Sequence, residues 1–167
     1  MNDTLQDSIE TRAPGAPHDH GACRTAALAA AESVCLKNGA RLTDIRRRVL
    51  ELIWESHRPV KAYDLLERLA TERGPVKPPT VYRALDFLLE NGLIHRVEAL
   101  NAVIGCAHPD MGDHPDYFLI CDRCETLTEM SAPAFDDAIR AEAKRHGFAI
   151  KRQSVEIFGR CAGCQDG

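Results

Sequence analysis

The sequence predicts an α+β fold in which an N-terminal winged helix is followed by a small α/β domain. Three amphipathic helices precede two short apolar strands, which is the order of elements in a winged helix. Beyond residue 106, short strands surround a single helix, and the chain contains two C-x-x-C pairs. A chain of 167 residues with 44% hydrophobic and 28% charged residues can hold two small globular domains.

The N-terminal residues 1–22 predict a flexible tail, because they are polar, contain Pro14, Gly15 and Pro17, and lack apolar periodicity. No basic patch followed by an apolar core marks a secretory signal, and no apolar run approaches the roughly 20 residues of a membrane span. We therefore expect a cytoplasmic protein with no membrane partner. In that compartment, paired cysteines are more often metal ligands or redox groups than disulfides.

The first helices are predicted from apolar spacing and from residues that begin or stop helices. An alanine-rich helix runs from Arg24 to Lys37 and stops at an Asn-Gly pair, with Cys35 on its apolar side as a core residue. Thr43 can cap a second helix, and a third helix spans about Ala62 to Arg73.

The stretch KPPTVYRALDFLLENG predicts the recognition helix of the winged helix. A proline at the first helical position sets the start near Pro79, and Gly92 lies where a C-terminal cap belongs. The outward face near the N-terminus carries Thr80, Tyr82 and Arg83, whose donors suit phosphates and base edges. This face predicts double-stranded DNA as the partner.

The distribution of charge is compatible with DNA binding without demonstrating it. The net charge is −4, but residues 41–98 carry 11 basic and 9 acidic groups, whereas residues 99–167 carry 7 and 11. The run from Arg46 to Arg48 has two interpretations, a solvated face or a contact with the DNA backbone.

Two short strands, in LIHRVE and AVIGC, are predicted as a hairpin around residues 99–101. We place the winged-helix domain at residues 23–98, a hinge at 99–101 and the second domain at 102–167. The second domain is predicted to contain the strand YFLIC, a strand around Thr126–Glu129, a helix from about Ser131 to His146, and a last strand in FAIKRQSVEIF. An exposed sheet edge or apolar face in this domain suits self-association.

Two C-x-x-C pairs with 36 residues between them predict a closed tetrahedral zinc site, formed by Cys121, Cys124, Cys161 and Cys164. A redox pair is the first alternative, but it requires a helix start after the pair, and each pair is predicted to follow a strand. A [4Fe–4S] cluster is the second alternative, although its cysteines usually lie closer together in the sequence.

A second group of possible ligands contains His95, Cys106, His114 and Glu129. One thiolate, two imidazoles and a carboxylate favour zinc over iron or manganese. Each residue also has an ordinary structural interpretation, such as a half-buried strand histidine or a core thiol, and His108 competes for the same place. Spacing alone therefore leaves this second site open.

The strings KPPTVYRALDFLLENGLIHRVE, FLICDRC, RLT at 41–43 and AYDLL at 62–66 resemble the ferric uptake regulator family, and specifically its zinc-sensing branch. The resemblance runs from about residue 25 to Cys164. It implies a structural zinc site at the four paired cysteines and a regulatory zinc site at the second group. It also implies that Tyr63 and Arg83 contact DNA.

The resemblance implies a zinc-responsive repressor that binds operator DNA as a zinc-loaded homodimer, with two zinc ions per subunit, and represses zinc-uptake genes. The alternative is an iron- or peroxide-responsive regulator of the same family. The H-H-H-D-H stretch typical of the iron and peroxide sensors is missing, since residues 112–116 read GDHPD. The tail has no counterpart in the family.

We expect no enzymatic activity and no small-molecule substrate other than the metal ion. Zinc deaminases use H-x-E with P-C-x-x-C, but the chain has no H-x-E, and Ile120 precedes Cys121. A four-ligand zinc site also leaves no open position for water.

Overall fold

The computed structural model describes residues 20–56, 58–111, 114 and 116–165. Within them the helices are α1 (His20–Lys37), α2 (Asp44–Ile53), α3 (Ala62–Arg73), α4 (Pro78–Glu90), α5 (Pro133–Arg145) and α6 (Ala162–Gln165). The strands are β1 (Ile94–Val97), β2 (Ala102–Gly105), β3 (Asp116–Cys121), β4 (Leu127–Glu129) and β5 (Ser154–Gly159). None of the described helices is long and apolar enough to cross a membrane.

Helices α1 to α4 bury their apolar faces in one core. Leu65, Leu69 and Leu88 are completely buried in it, and Cys35 is buried with them, as the sequence predicted. The apolar residues of α2 to α4 recur at helical spacing, so each helix presents one stripe to the others. This core fixes the orientation of α4, the predicted recognition helix.

The predicted helix boundaries agree with the structure to within about two residues, except at the start of α1, and the sequence did not predict α6. Helix α1 begins at His20, four residues before the expected start, so it includes the last three residues of the predicted tail. The helix includes Gly21 despite its low helix propensity, and the Thr25 hydroxyl donates a hydrogen bond to the Gly21 carbonyl. Thr43 is the N-cap residue of α2 but makes no side-chain capping hydrogen bond.

Strands β1 and β2 form an antiparallel hairpin, the wing, in which His95 pairs with Ile104. Residues 98–100 form a 3₁₀ turn between them, and Asn101 adopts a left-handed conformation with φ of 46°. Reciprocal backbone hydrogen bonds join Val60 and Val103, so β2 is tied to the segment between α2 and α3. The wing is thus attached to the N-terminal helices through both strands.

The predicted hinge at 99–101 coincides with the turn of this hairpin. The predicted start of the second domain at residue 102 therefore separates two strands that pair with each other. The strand pairing groups β2 with β1 in the wing. A tight turn and an interdomain linker have similar local sequences, and pairing across residues 94–105 distinguishes them.

The C-terminal part contains a three-stranded sheet of order β4-β3-β5, with β3 antiparallel to β4 and parallel to β5. The last strand begins at Ser154, later than the sequence predicted, because Asp116 to Cys121 pair with Ser154 to Gly159. A second apolar cluster joins this sheet to the wing and contains Val97, Ile104, Phe118, Ile120 and Leu127, with Leu100 at its edge. The two parts of the chain therefore share a small apolar interface.

Candidate metal centres and nucleic-acid interface

Four of the predicted ligands meet where the wing faces the C-terminal sheet. His95 comes from β1, Cys106 follows β2, His114 lies between β2 and β3, and Glu129 ends β4. One ligand atom from each of the four side chains lies within 4.8 Å of the corresponding atoms of the others. His108, the other candidate from the sequence, is not among these four residues. We refer to these four residues as the mixed cluster.

The separations within the mixed cluster suit a tetrahedral zinc ion. Cys106 Sγ lies 3.4 Å from His114 Nε2, and His95 Nε2 lies 3.2 Å from Glu129 Oε1. Ligands at zinc distances of roughly 2.0 to 2.3 Å are about 3.3 to 3.8 Å apart when arranged tetrahedrally. The buried Nε2 of His95 makes no hydrogen bond within the described chain, although Glu129 is close. A buried ring nitrogen that faces a thiol and a carboxylate is suited to a metal ion.

Asp116 fixes the orientation of the His95 ring and was not predicted as a site residue. Its Oδ1 lies 2.8 Å from His95 Nδ1, and both side chains are about nine-tenths buried. The carboxylate holds the proton on Nδ1, so Nε2 remains available as a ligand. Asp116 is itself held at the start of β3, where its backbone N–H donates to the Gln153 carbonyl. Residues 112–116 look like an ordinary polar loop, and their sequence shows nothing of this contact.

The protonation states within the mixed cluster also favour a cation. Burial raises the pKa of Cys106. Contacts with His114 and His95 lower that pKa by more than burial raises it, so the net shift is downward. Burial likewise raises the pKa of Glu129, and His95 reverses that effect. Burial lowers the pKa of His95, but Asp116, Cys106 and Glu129 raise it to about 12. These shifts favour the thiolate of Cys106 and the carboxylate of Glu129, which are the forms that bind a metal ion.

The four paired cysteines also converge, with their sulfurs within 4.8 Å of one another. The Sγ atoms of Cys124 and Cys161 are 3.7 Å apart, which is about the edge of a tetrahedron of thiolates around zinc. The first pair lies in the turn between β3 and β4, and the second follows β5. We refer to these residues, Cys121, Cys124, Cys161 and Cys164, as the cysteine cluster.

Backbone and hydroxyl donors favour thiolates at the first pair. The backbone N–H of Cys161, 3.4 Å from Cys121 Sγ, contributes most to lowering the pKa of Cys121 to about 6. The Thr126 hydroxyl, 3.3 Å from Cys124 Sγ, lowers the pKa of Cys124. The arrangement matches the knuckles of structural zinc sites, in which N–H groups surround the sulfurs.

The sequence predicted no helix start after either pair, and this prediction is wrong for the second one. The single helical turn of α6 begins at Ala162, directly after Cys161. A contact with Cys164 favours the Cys161 thiolate, but burial and the thiols of Cys124 and Cys121 outweigh it, so the pKa of Cys161 is raised. The lowered pKa that characterises a redox-active cysteine at a helix start is therefore missing at Cys161.

The predicted DNA-contacting residues are all exposed on the N-terminal helices. Thr80, Tyr82 and Arg83 are exposed in the first half of α4, and Tyr63 is exposed in the first turn of α3. The inner face of α4 is buried at Val81, so the outer face is free to enter a groove. The Glu67 carboxylate raises the pKa of Tyr63, which keeps its hydroxyl as a donor.

The arginine run at the start of α2 is occupied by contacts within the chain. Arg48 pairs with Glu72, Glu51 and Glu55, and Arg47 pairs with Glu32. Arg46 donates to the Arg41 carbonyl at 2.6 Å and lies over the Phe87 ring. Of the two interpretations, the structure favours a surface held by ion pairs over a free DNA-binding patch.

Comparison with known proteins identifies the family. The family model described as "Ferric uptake regulator family" matches residues 37–158. The zinc uptake regulation protein of Escherichia coli (strain K12) is 42% identical over 137 residues, which cover 82% of this chain and 80% of that protein. The chain belongs to the ferric uptake regulator family.

Solved structures of family members extend the comparison to the whole architecture. A zinc uptake regulator complexed with zinc and DNA superposes with a TM-score of 0.81 at 40% identity, covering 86% of this chain and 95% of that one. The holo form of XcZur superposes with a TM-score of 0.77 at 44% identity, covering 84% and 97%. The apo form of XcZur, at 43% identity and the same coverage, gives 0.51. The arrangement of this chain thus resembles the holo form more than the apo form.

Proposed function

We propose that this member of the ferric uptake regulator family is a zinc-responsive transcriptional repressor that binds operator DNA as a zinc-loaded homodimer and represses zinc-uptake genes. The observation that carries the proposal is the mixed cluster, whose four ligands converge from both sides of the contact between wing and C-terminal sheet. The similarity to a zinc uptake regulator complexed with zinc and DNA supports it. A DNA-binding regulator of this kind acts in the cytoplasm.

We assign two zinc ions to each subunit. The cysteine cluster is the structural site, because four thiolates leave no exchangeable position and join β5 and its extension to the β3–β4 turn. The mixed cluster is the regulatory site, because its thiolate, imidazoles and carboxylate come from distant segments of the chain. Neither site has a vacant position for water, so we expect no catalysis.

The location of His95 explains how metal binding affects DNA binding. When bound, zinc supplies ligand bonds that connect β1 of the wing with residues of the C-terminal part. His95 then holds the wing, and α4 moves with it because the wing is tied to the N-terminal helices. Without the ligand bonds, the winged helix adopts more orientations, and operator affinity falls with the fraction of time spent correctly aligned.

A homodimer places two α4 helices on one operator. We propose that Tyr63, Thr80, Tyr82 and Arg83 contact the DNA, with the two half-sites about 34 Å apart. The C-terminal part carries exposed apolar side chains suited to pairing with a second copy, namely Leu119, Phe135, Ile139, Phe148, Ile157 and Phe158. We place the winged helix at residues 23–105 and the dimerisation domain after Gly105.

The test is a titration of operator binding at buffered free zinc, repeated with iron and manganese. We expect zinc to drive binding at far lower free concentrations than either other metal. The variant Cys106→Ser should lose zinc-dependent binding but remain a folded dimer. Cys23→Ser removes a thiol outside both clusters and serves as the matched control.

Three results would contradict the proposal. Tight operator binding driven by iron but not zinc would indicate the iron-responsive alternative. DNA release that tracks zinc loss and disulfide formation under mild peroxide would indicate the peroxide-responsive alternative. Unchanged zinc dependence in Cys106→Ser would show that the mixed cluster is not the sensor.

A further inference from the structure

A glutamate of the C-terminal sheet reaches the turn of the wing. Glu156 lies in β5, and its Oε1 accepts a hydrogen bond of 2.6 Å from the backbone N–H of Glu98. Its Oε2 accepts a second hydrogen bond, of 3.1 Å, from the backbone N–H of Ala99. One half-buried carboxylate therefore binds two consecutive amides that are 58 and 57 residues away in sequence.

The 3₁₀ turn itself offers no hydrogen-bond acceptor to these two N–H groups. Glu98 and Ala99 open the 3₁₀ turn between β1 and β2, and the first N–H groups of a helical turn have no partner inside it. A carboxylate that receives two N–H donors makes charge-assisted hydrogen bonds, which are stronger than neutral ones. The contact thus stabilises one position of the turn relative to the sheet.

Two further contacts lie beside this carboxylate. The apolar cluster of wing and sheet, which includes Val97 and Phe118, packs against Leu100 of the turn. Arg152, just before β5, lies 4.0 Å from a Glu98 carboxylate oxygen and 3.6 Å from Asp116, the residue that orients His95. The edge of the interface held by Glu156 is therefore adjacent to the mixed cluster, but Glu156 itself contacts none of its four ligands.

We propose that Glu156 is a positioning residue that locks the wing onto the C-terminal sheet and thereby sets the free zinc concentration at which operator binding occurs. This inference rests on the proposed function. Glu156 stabilises the aligned arrangement whether or not zinc is present, and zinc stabilises the same arrangement through His95. The Glu156 contact and the bound zinc therefore stabilise the same aligned arrangement. If the Glu156 contact is weakened, a higher free zinc concentration is needed to populate that arrangement equally.

Replacing Glu156 with glutamine leaves at most one of the two hydrogen bonds, because the amide nitrogen cannot accept from a backbone N–H. The loss of one charge-assisted hydrogen bond at a half-buried position shifts the equilibrium by about tenfold. We expect the zinc midpoint of operator binding to rise by about tenfold in Glu156→Gln. Saturating zinc should restore wild-type operator affinity, because the ligand bonds then suffice for alignment.

The experiment compares full-length dimers of the wild type, Glu156→Gln and Glu142→Gln in operator titrations at buffered free zinc. Glu142→Gln removes the same charge from an exposed position on α5, where the carboxylate pairs with Arg145 and His146. We expect its zinc midpoint to match that of the wild type. A midpoint for Glu156→Gln within twofold of the wild type would overturn the proposal.

Hydrogen exchange provides a measurement that does not depend on operator binding. The amides of Glu98 and Ala99 should be protected in the zinc-loaded wild type and should exchange faster in Glu156→Gln. Rapid exchange of both amides in the zinc-loaded wild type would refute the contact itself. If wild-type operator binding ignores zinc, the proposed function fails, and protection of these amides still shows separately whether Glu156 binds the turn.

Discussion

Asp116 offers a sharp test of how the mixed cluster is organised. Its carboxylate lies 2.8 Å from His95 Nδ1, and its exposure is only 7%. A hydrogen bond to a charged partner contributes about 1.5 to 3 kcal/mol, which corresponds to roughly 10- to 100-fold in metal affinity. Asp116→Asn keeps an acceptor for the Nδ1 proton and should weaken zinc binding at the regulatory site about tenfold. Asp116→Ala removes the acceptor and should approach 100-fold.

A second effect partly offsets this loss. Asp116 contributes most to raising the pKa of His95, so its removal lowers that pKa and makes the proton easier to displace. The tenfold end of the range is therefore expected for asparagine. Affinity is measured by competition with a chromophoric chelator, and Cys106→Ser identifies the zinc that belongs to the regulatory site.

The matched control for this test is Asp137→Asn, which removes an exposed carboxylate from α5. We expect its zinc affinity to equal that of the wild type. If both Asp116→Asn and Asp116→Ala bind the regulatory zinc within threefold of the wild type, Asp116 does not support His95, and the reasoning about ring orientation is refuted.

Further predictions concern packing, pH and the cysteine cluster. Gly105→Ala places a Cβ inside the buried indole of Trp54 and should lower the free energy of unfolding by about 1–3 kcal/mol. Gly159→Ala is the control, because its Cβ meets open space, and thermal melts compare the two variants. The His95 imidazole is protonated below its pKa of about 12 and must lose a proton to bind zinc. The zinc affinity of the regulatory site should therefore fall about tenfold for each unit by which the pH falls. Chelator competition that does not change between about pH 6 and 8 would contradict this expectation. Cys161→Ser should lose one zinc per subunit and lower the melting temperature, and an unchanged zinc content would exclude the cysteine cluster as a site.

The elements that depend on local pattern were predictable from the sequence. The limits of α3 and the start of α4 follow from apolar spacing and a proline at the first turn, and the structure agrees with them. Spacing alone also paired Cys121 with Cys124 and Cys161 with Cys164. These features are encoded within a few residues, so they need no knowledge of the rest of the fold.

The features that depend on distant contacts were not predictable in this way. Spacing could not select His114 over His108, because only the folded chain brings His114 to Cys106 and Glu129. The role of Asp116 depends on His95 lying opposite it, and the assignment of β2 depends on its pairing with β1 and with Val60. The resemblance to a family supplied the regulatory ligands, and it carried no information about Asp116 or Glu156.

The four ligands of the mixed cluster differ in how they are anchored, and this sets an order of events when the ion leaves. His95 and Glu129 are strand residues, and the backbone N–H of Cys106 donates to the Leu93 carbonyl directly beyond β2. His114 lies outside the strands. Its side chain is more accessible than that of His95, with 13% of its surface exposed against 9%. It can swing away without breaking a strand ladder. Dissociation should therefore begin at His114, and its first step is a local opening that precedes any movement of the winged helix.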